Sequence, residues 1–161
     1  MNEAGPVERG QDGAEVGGMP PSLQNGGQGT VQCGVDLVEI ERIARAIERW
    51  GERFLHRVWT DRELAVCQGR WPELAARFAA KEAISKALGT GMSAGVTWRD
   101  IEVLSDRSGK PHVVLHGPAK QLAGNLGLHG WAISLSHARD VACAFVVAYS
   151  IGPAPPASGG I

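Results

Sequence analysis

The sequence predicts an α+β domain with a mainly antiparallel sheet packed against helices. Three observations carry that prediction. Alternating apolar stretches of strand length stand near both ends of a central block, and one long helical run lies between them. The order reads strand, helices, hairpin, helix, hairpin, without the strict strand–helix alternation that builds parallel sheets.

Val31, Cys33, Val35 and Leu37 alternate with Gln32, Gly34, Asp36 and Val38, which predicts a short strand with Asp36 near its end. A helix follows from about Glu39 to Trp50, with Ile40, Ile43, Ala44 and Ile47 on its buried face. Arg42, Arg45 and Arg49 share its opposite side, and Arg53 and Arg57 lie further on around Phe54. Thr60–Glu63 has the form of a capping box opening a short helix to about Gly69. Pro72 suits a first helical turn, nothing breaks the helix before Leu88, and Gly89 is a natural stop. Ile101–Leu104 and Pro111–His116 predict a hairpin around the turn residues Asp106–Gly109. Pro118–Leu126 is an amphipathic helix closed by Gly127 and Gly130. Trp131–His137 and Val141–Tyr149 form the last hairpin.

Of 161 residues, 43% are hydrophobic, enough for the core of one domain. Residues 1–30 hold eight of the 22 glycines and no aromatic residue, and residues 152–161 are almost all Gly, Pro, Ala and Ser. Such segments bury too little apolar surface to offset the entropy of ordering. Both read as disordered tails around a domain spanning 31–151. Taking the tail's net −3 from the formal charge of −1 leaves the domain at +2, too mild for a general nucleic-acid binder. No apolar run reaches the ~20 residues of a membrane helix. No basic segment leads into an apolar one as in a secretory signal. The three cysteines are scattered, fit neither a disulfide framework nor a zinc site, and read as small buried hydrophobes. The expected setting is cytoplasmic.

The chemistry concentrates in Arg77–Gly91. Glu82 and Lys86 stand four apart on one helical face, and Arg77 and Lys81 repeat that spacing on the next. Gly89-Thr90-Gly91 follows, where backbone N–H groups could approach a phosphate. Each feature has a bland counterpart. Glu82–Lys86 could be a solvated surface pair, Asp36 a helix N-terminal residue, the arginine stripe a solvated face, and His137 a capped or surface histidine.

Three stretches resemble one family. GVDLVEIERI (Gly34–Ile43), RFAAKEAISKALGTG (Arg77–Gly91) and SLSH (Ser134–His137) are similar, in order and spacing, to the holo-acyl-carrier-protein synthases. These are short-chain 4′-phosphopantetheinyl transferases. SGKP (Ser108–Pro111) resembles the family's hairpin turn, and the N-terminal segment is longer than the family's usual lead. The resemblance implies the phosphopantetheinyl transferase fold. It also implies transfer of phosphopantetheine from coenzyme A to a serine of apo acyl carrier protein, releasing adenosine 3′,5′-bisphosphate, in fatty acid biosynthesis. It implies Mg²⁺ on Asp36 and Glu82, and coenzyme A binding by Arg77, Lys81, Gly89, Thr90, Gly91, Ser136 and His137. It further implies carrier docking on Arg42, Arg45 and Arg49, and a homotrimer with sites between subunits. In this reading Lys86 neutralises phosphate charge, and the base is Glu82, a bound water or Lys86. A non-catalytic binding module and a metal-dependent phosphohydrolase are the rival readings.

Overall fold

The computed structural model describes residues 29–92 and 95–150. The two tails expected to be disordered lie outside the described residues, apart from Gly29 and Thr30, which lead into the first strand.

Strand β1 (Val31–Glu39) leads directly into α1 (Ile40–Trp50), followed by α2 (Glu52–Val58), α3 (Asp61–Cys67) and the long α4 (Trp71–Ala87). A 3₁₀ turn at Trp98–Asp100 enters the hairpin β2 (Ile101–Ser105) and β3 (Pro111–Leu115). Then come α5 (Gly117–Asn125) and the hairpin β4 (Gly130–His137) and β5 (Val141–Tyr149). Among the described residues all strand pairings are antiparallel, in two sheets: one ordered β1-β5-β4, the other β2-β3.

Helix α4 lies across the inner face of the larger sheet. Small side chains make that approach close: Ala79, Ala80, Ala83 and Ala87 on α4 are buried, as are Ala142, Ala144 and Ala148 on β5. The tightest point is Gly34, where a Cβ would stand 1.9 Å from the Ala83 carbonyl oxygen. Only glycine lets the β1 backbone pass the helix there. That crossing sets Asp36, two residues on and on the same pleat, against α4.

Four details differ from the sequence reading. Strand β1 runs through Glu39, so Asp36 sits inside it, opposite Ala144, and Glu39 rather than Asp36 precedes the helix. The N-terminal helix reading of Asp36 is thereby excluded. Arg53 and Arg57 belong to a separate helix, α2, which Gly51 (φ 55°) sets off from α1. Seven residues are too few to register as a period. Of the cysteines only Cys67 is buried. Cys33 is exposed on the outward pleat of β1, and Cys143 is intermediate. The strands divide into two sheets rather than one. Among the described residues no helix is long and apolar enough to cross a membrane.

Candidate active site

Two elements bring the chemistry together. The inner pleat of β1 presents Asp36, and one face of α4 presents Glu82 and, a turn later, Lys86. Lys86 Nζ donates to Asp36 Oδ1 at 2.8 Å and to the Val35 carbonyl at 3.0 Å. Asp36 is 18% exposed and Lys86 51% exposed, so the pair opens to solvent on the lysine side. Burial pushes the Glu82 carboxyl above its ordinary pKa, and the nearby Asp36 charge adds to this. Lys86 and Arg42 pull the other way. The hydrogen bond to Asp36 raises the Lys86 pKa despite some desolvation. Glu82, Asp36, Lys86 and Arg42 thus form one electrostatic cluster drawn from β1, α1 and α4.

Two carboxylates beside cations suit Mg²⁺, which takes hard oxygen ligands and usually only one or two protein carboxylates, with water and substrate phosphate completing its shell. Among the described residues no group of three or more His, Cys, Asp or Glu could hold a metal. The Asp36 and Glu82 carboxylates fit the donor chemistry of Mg²⁺.

Arg77 and Lys81 require correction. Both are buried, at 2% and 0% exposure. Arg77 donates to Glu73 Oε2 at 2.8 Å, to Ser105 Oγ at 3.0 Å and to the Val103 carbonyl at 3.3 Å. Lys81 Nζ donates to Glu63 Oε2 at 2.7 Å and to the carbonyls of Ile101 and Trp98 at 2.6 and 2.9 Å. Burial lowers the Lys81 pKa, against the opposing pull of Glu63. Their cations hold α4 to α3 and β2, and neither is open to a ligand as placed. The reason is rotational: a residue next along a helix points about 100° away, so Lys81 faces inward when Glu82 faces out.

The Gly89–Gly91 turn is also reassigned. Gly89 N–H donates to the Lys86 carbonyl, and the N–H groups of Thr90 and Gly91 both reach the Ser85 carbonyl, at 3.4 and 3.3 Å. With φ at 78° and 59°, the two glycines let the chain fold back onto the helix end. These donors close α4 instead of facing outward as a phosphate cradle.

Ser136 and His137 end β4 on opposite pleats. His137 pairs with inward-facing Ala142, and its Nε2 lies 4.0 Å from Glu73 Oε1. It borders an open groove of about 520 Å³ with Arg70, Trp71 and Glu73. Glu73 lies nine residues before Glu82, so this groove is set back along α4 by roughly 14 Å. Ser136 pairs with Cys143 on the outward pleat and does not join that groove.

Arg42, Arg45 and Arg49 are exposed on α1. Arg42 lies within electrostatic reach of Glu82, Arg45 pairs loosely with Glu41 at 3.7 Å, and Arg49 stands 4.9 Å over the Trp50 ring. Helix α2 extends this face. Arg53, Phe54 and Arg57 line a groove of about 470 Å³ with Ala46 and Trp50.

Sequence reasoning assigned no role to Glu73, Arg70 or Glu102, and to Glu63 only its place in the capping box. Glu102 is 2% exposed and accepts from Thr60 Oγ1 at 2.6 Å and Arg62 Nη1 at 3.2 Å, with His116 Nε2 at 3.1 Å. The capping box marked Glu63, and Glu63 does bond the Thr60 N–H. Nothing local signalled that the same carboxylate meets Lys81 eighteen residues on.

The profile of the 4′-phosphopantetheinyl transferase superfamily matches residues 32–146. The chain belongs to that superfamily. The relatives it matches along nearly their whole length are holo-[acyl-carrier-protein] synthases. One, from Herpetosiphon aurantiacus, is 52% identical over 120 residues, spanning 71% of this chain and 94% of the relative. The holo-[acyl-carrier-protein] synthase of Helicobacter pylori, solved in complex with coenzyme A, superposes with a TM-score of 0.67 at 30% identity, covering 72% of this chain and 98% of that one. The enzyme from Bacillus anthracis, solved in complex with coenzyme A (3′,5′-ADP), gives 0.62 at 34% identity, covering 74% and 96%. The α+β fold and the family read from the three sequence stretches both stand.

Proposed function

We propose that this chain transfers the 4′-phosphopantetheine group of coenzyme A to a serine of an apo acyl carrier protein. The products are holo carrier and adenosine 3′,5′-bisphosphate, and the setting is fatty acid biosynthesis in the cytoplasm. The observation that carries the reading is the meeting of Asp36, Glu82 and Lys86 in a chain whose relatives bear this activity in their names.

Asp36 and Glu82 are the proposed Mg²⁺ ligands. Bound there, the ion would neutralise charge on the pyrophosphate as the phosphorus–oxygen bond breaks. The serine oxygen bonds to the phosphorus carrying the pantetheine, and the bridging oxygen leaves with the adenosine bisphosphate. Glu82, directly or through water, takes the serine proton. Lys86, half exposed and a cation at neutral pH, takes the charge-neutralising role rather than that of base. His137, with Arg70 in the same groove, is the proposed end-anchor for coenzyme A. Carrier docking falls to Arg42, Arg45 and Arg49, with Arg53 and Arg57 extending the cationic rim around Phe54.

A homotrimer with shared active sites is part of the proposal. Its support is the outward pleat of the larger sheet, where Val31, Val35, Leu37 and Phe145 are 49–65% exposed, with Val35 directly opposite Phe145. A monomer gains nothing from such a face. Ser136 faces the same outward side, whereas Asp36 points to the inner face of this edge strand.

Mass spectrometry of an apo carrier incubated with coenzyme A and Mg²⁺ tests the reading. Covalent gain of phosphopantetheine on the carrier supports it. Free phosphopantetheine would indicate a hydrolase, and an unchanged carrier with retained coenzyme A a binding module.

A further inference from the structure

Lys86 occupies the carboxylate that the metal needs. Two of its three ammonium donors are committed to β1, at Asp36 Oδ1 and the Val35 carbonyl. In that pose it neutralises Asp36 and has little left to offer a phosphate. We propose that Lys86 and the divalent cation compete for Asp36, so that metal loading moves the Lys86 ammonium from the protein's carboxylate toward the substrate's phosphate. This rests on the assignment of Asp36 and Glu82 as metal ligands.

Three observations make the exchange physically reasonable. Lys86 is half exposed on a flexible four-carbon stem, so leaving Asp36 costs little more than a surface ion pair. Its charge is not required to hold α4, because that task falls to Lys81, five residues earlier and fully buried with three acceptors. A dication and an ammonium on the same oxygen repel, while the substrate's phosphates supply the ammonium with a new partner. Asp36 is therefore neutralised before the metal arrives, and the cation it releases is delivered where negative charge builds up. Arg42 provides a built-in comparison. It acts on Glu82 through space, and no hydrogen bond ties it to either carboxylate.

The chain contains four lysines, Lys81, Lys86, Lys110 and Lys120. Side-chain NMR of ¹⁵N-lysine-labelled protein during titration with Mg²⁺ alone reads the exchange directly. Lys86→Arg assigns the Lys86 signal, and the buried Lys81 serves as reference. The Lys86 ammonium signal should move with metal while that of Lys81 stays fixed. In calorimetry, Lys86→Met should bind Mg²⁺ about fivefold to tenfold tighter than wild type, a size typical of removing a partly screened neighbouring charge. Arg42→Met should tighten it less. Saturation with Lys86 unmoved, or equal tightening by Arg42→Met, overturns the competition and leaves the metal site standing. If Mg²⁺ produces neither heat nor any shift, the metal assignment falls and takes this inference with it.

Discussion

Helix α4 carries charged residues on two neighbouring faces, Arg77 and Lys81 on one and Glu82 and Lys86 on the other, and the two faces have opposite fates. Arg77 and Lys81 turn inward, lose their exposure, and bond carboxylates and carbonyls of α3, β2 and their own helix. Glu82 and Lys86 turn toward β1 and remain reachable from solvent. The first pair fixes the helix, and the second can act because the first has fixed it. A buried ion pair such as Lys81–Glu63 is a poor source of net stability but is costly to break, because the surviving partner is left charged and unsolvated. An exposed pair is worth little in stability and is free to change partners.

The strongest way to break this contrast is at Glu82. Glu82→Gln should reduce transfer by about a hundredfold or more, since it removes both a proposed ligand and the proton acceptor, while urea unfolding stays near wild type. Transfer within a few-fold of wild type at saturating Mg²⁺ would remove Glu82 from the chemistry.

Gly34→Ala should damage both regions at once. Its Cβ would meet the Ala83 carbonyl at 1.9 Å, so β1 or α4 must shift. A loss of about 3 kcal/mol is expected, as for severe overpacking, together with reduced transfer because Asp36 moves with the strand. Full stability by urea titration would show that the crossing can relax.

Lys81→Met should cost about 3 kcal/mol or more by leaving Glu63 charged and buried. Adding Glu63→Gln should recover part of that loss, because the orphaned charge is gone. A double variant less stable than Lys81→Met alone would contradict the ion-pair account.

The acid limb of stability supplies a smaller effect. Burial raises the Glu102 pKa, but hydrogen bonds from Thr60 and His116 and the charge of Arg62 outweigh it, leaving it below the ordinary glutamate value. A carboxyl with a lowered folded-state pKa adds stability above its unfolded pKa and loses it as pH falls through the folded value. Unfolding titrations from neutral to strongly acidic pH should therefore show a steeper decline in wild type than in Glu102→Gln. Parallel curves would discount the Glu102 network.

Arg45→Glu should have the narrowest consequence. It should raise the KM for the carrier, and more so at low salt, with coenzyme A use nearly unchanged and stability within about 0.5 kcal/mol. An unaltered carrier KM at both salt levels would move docking elsewhere.

Much of this was legible in the sequence, and what was not has a physical cause. Periodicity gave α1, α4, α5 and both hairpins, because each has enough residues to show its buried face. It gave Asp36 and Glu82 as partners only through the family's motifs, since no local pattern reports that β1 crosses α4 at Gly34. It could not tell which of two neighbouring charged stripes on α4 faces inward. That depends on Glu63 and on the Ile101 and Trp98 carbonyls, brought there by the fold. The glycine turn after α4 misled for a similar reason, because its donors are spent on the helix end.

The division of labour on α4 is tested most directly by comparing Lys81→Met with Lys86→Met, measuring urea unfolding and single-turnover transfer to an apo carrier on the same preparations. The account predicts that Lys81→Met loses stability first. It predicts that Lys86→Met unfolds within about 1 kcal/mol of wild type, as expected for an exposed pair, yet transfers far more slowly. A Lys86→Met protein that is as destabilised as Lys81→Met, or one that transfers at the wild-type rate, would contradict it.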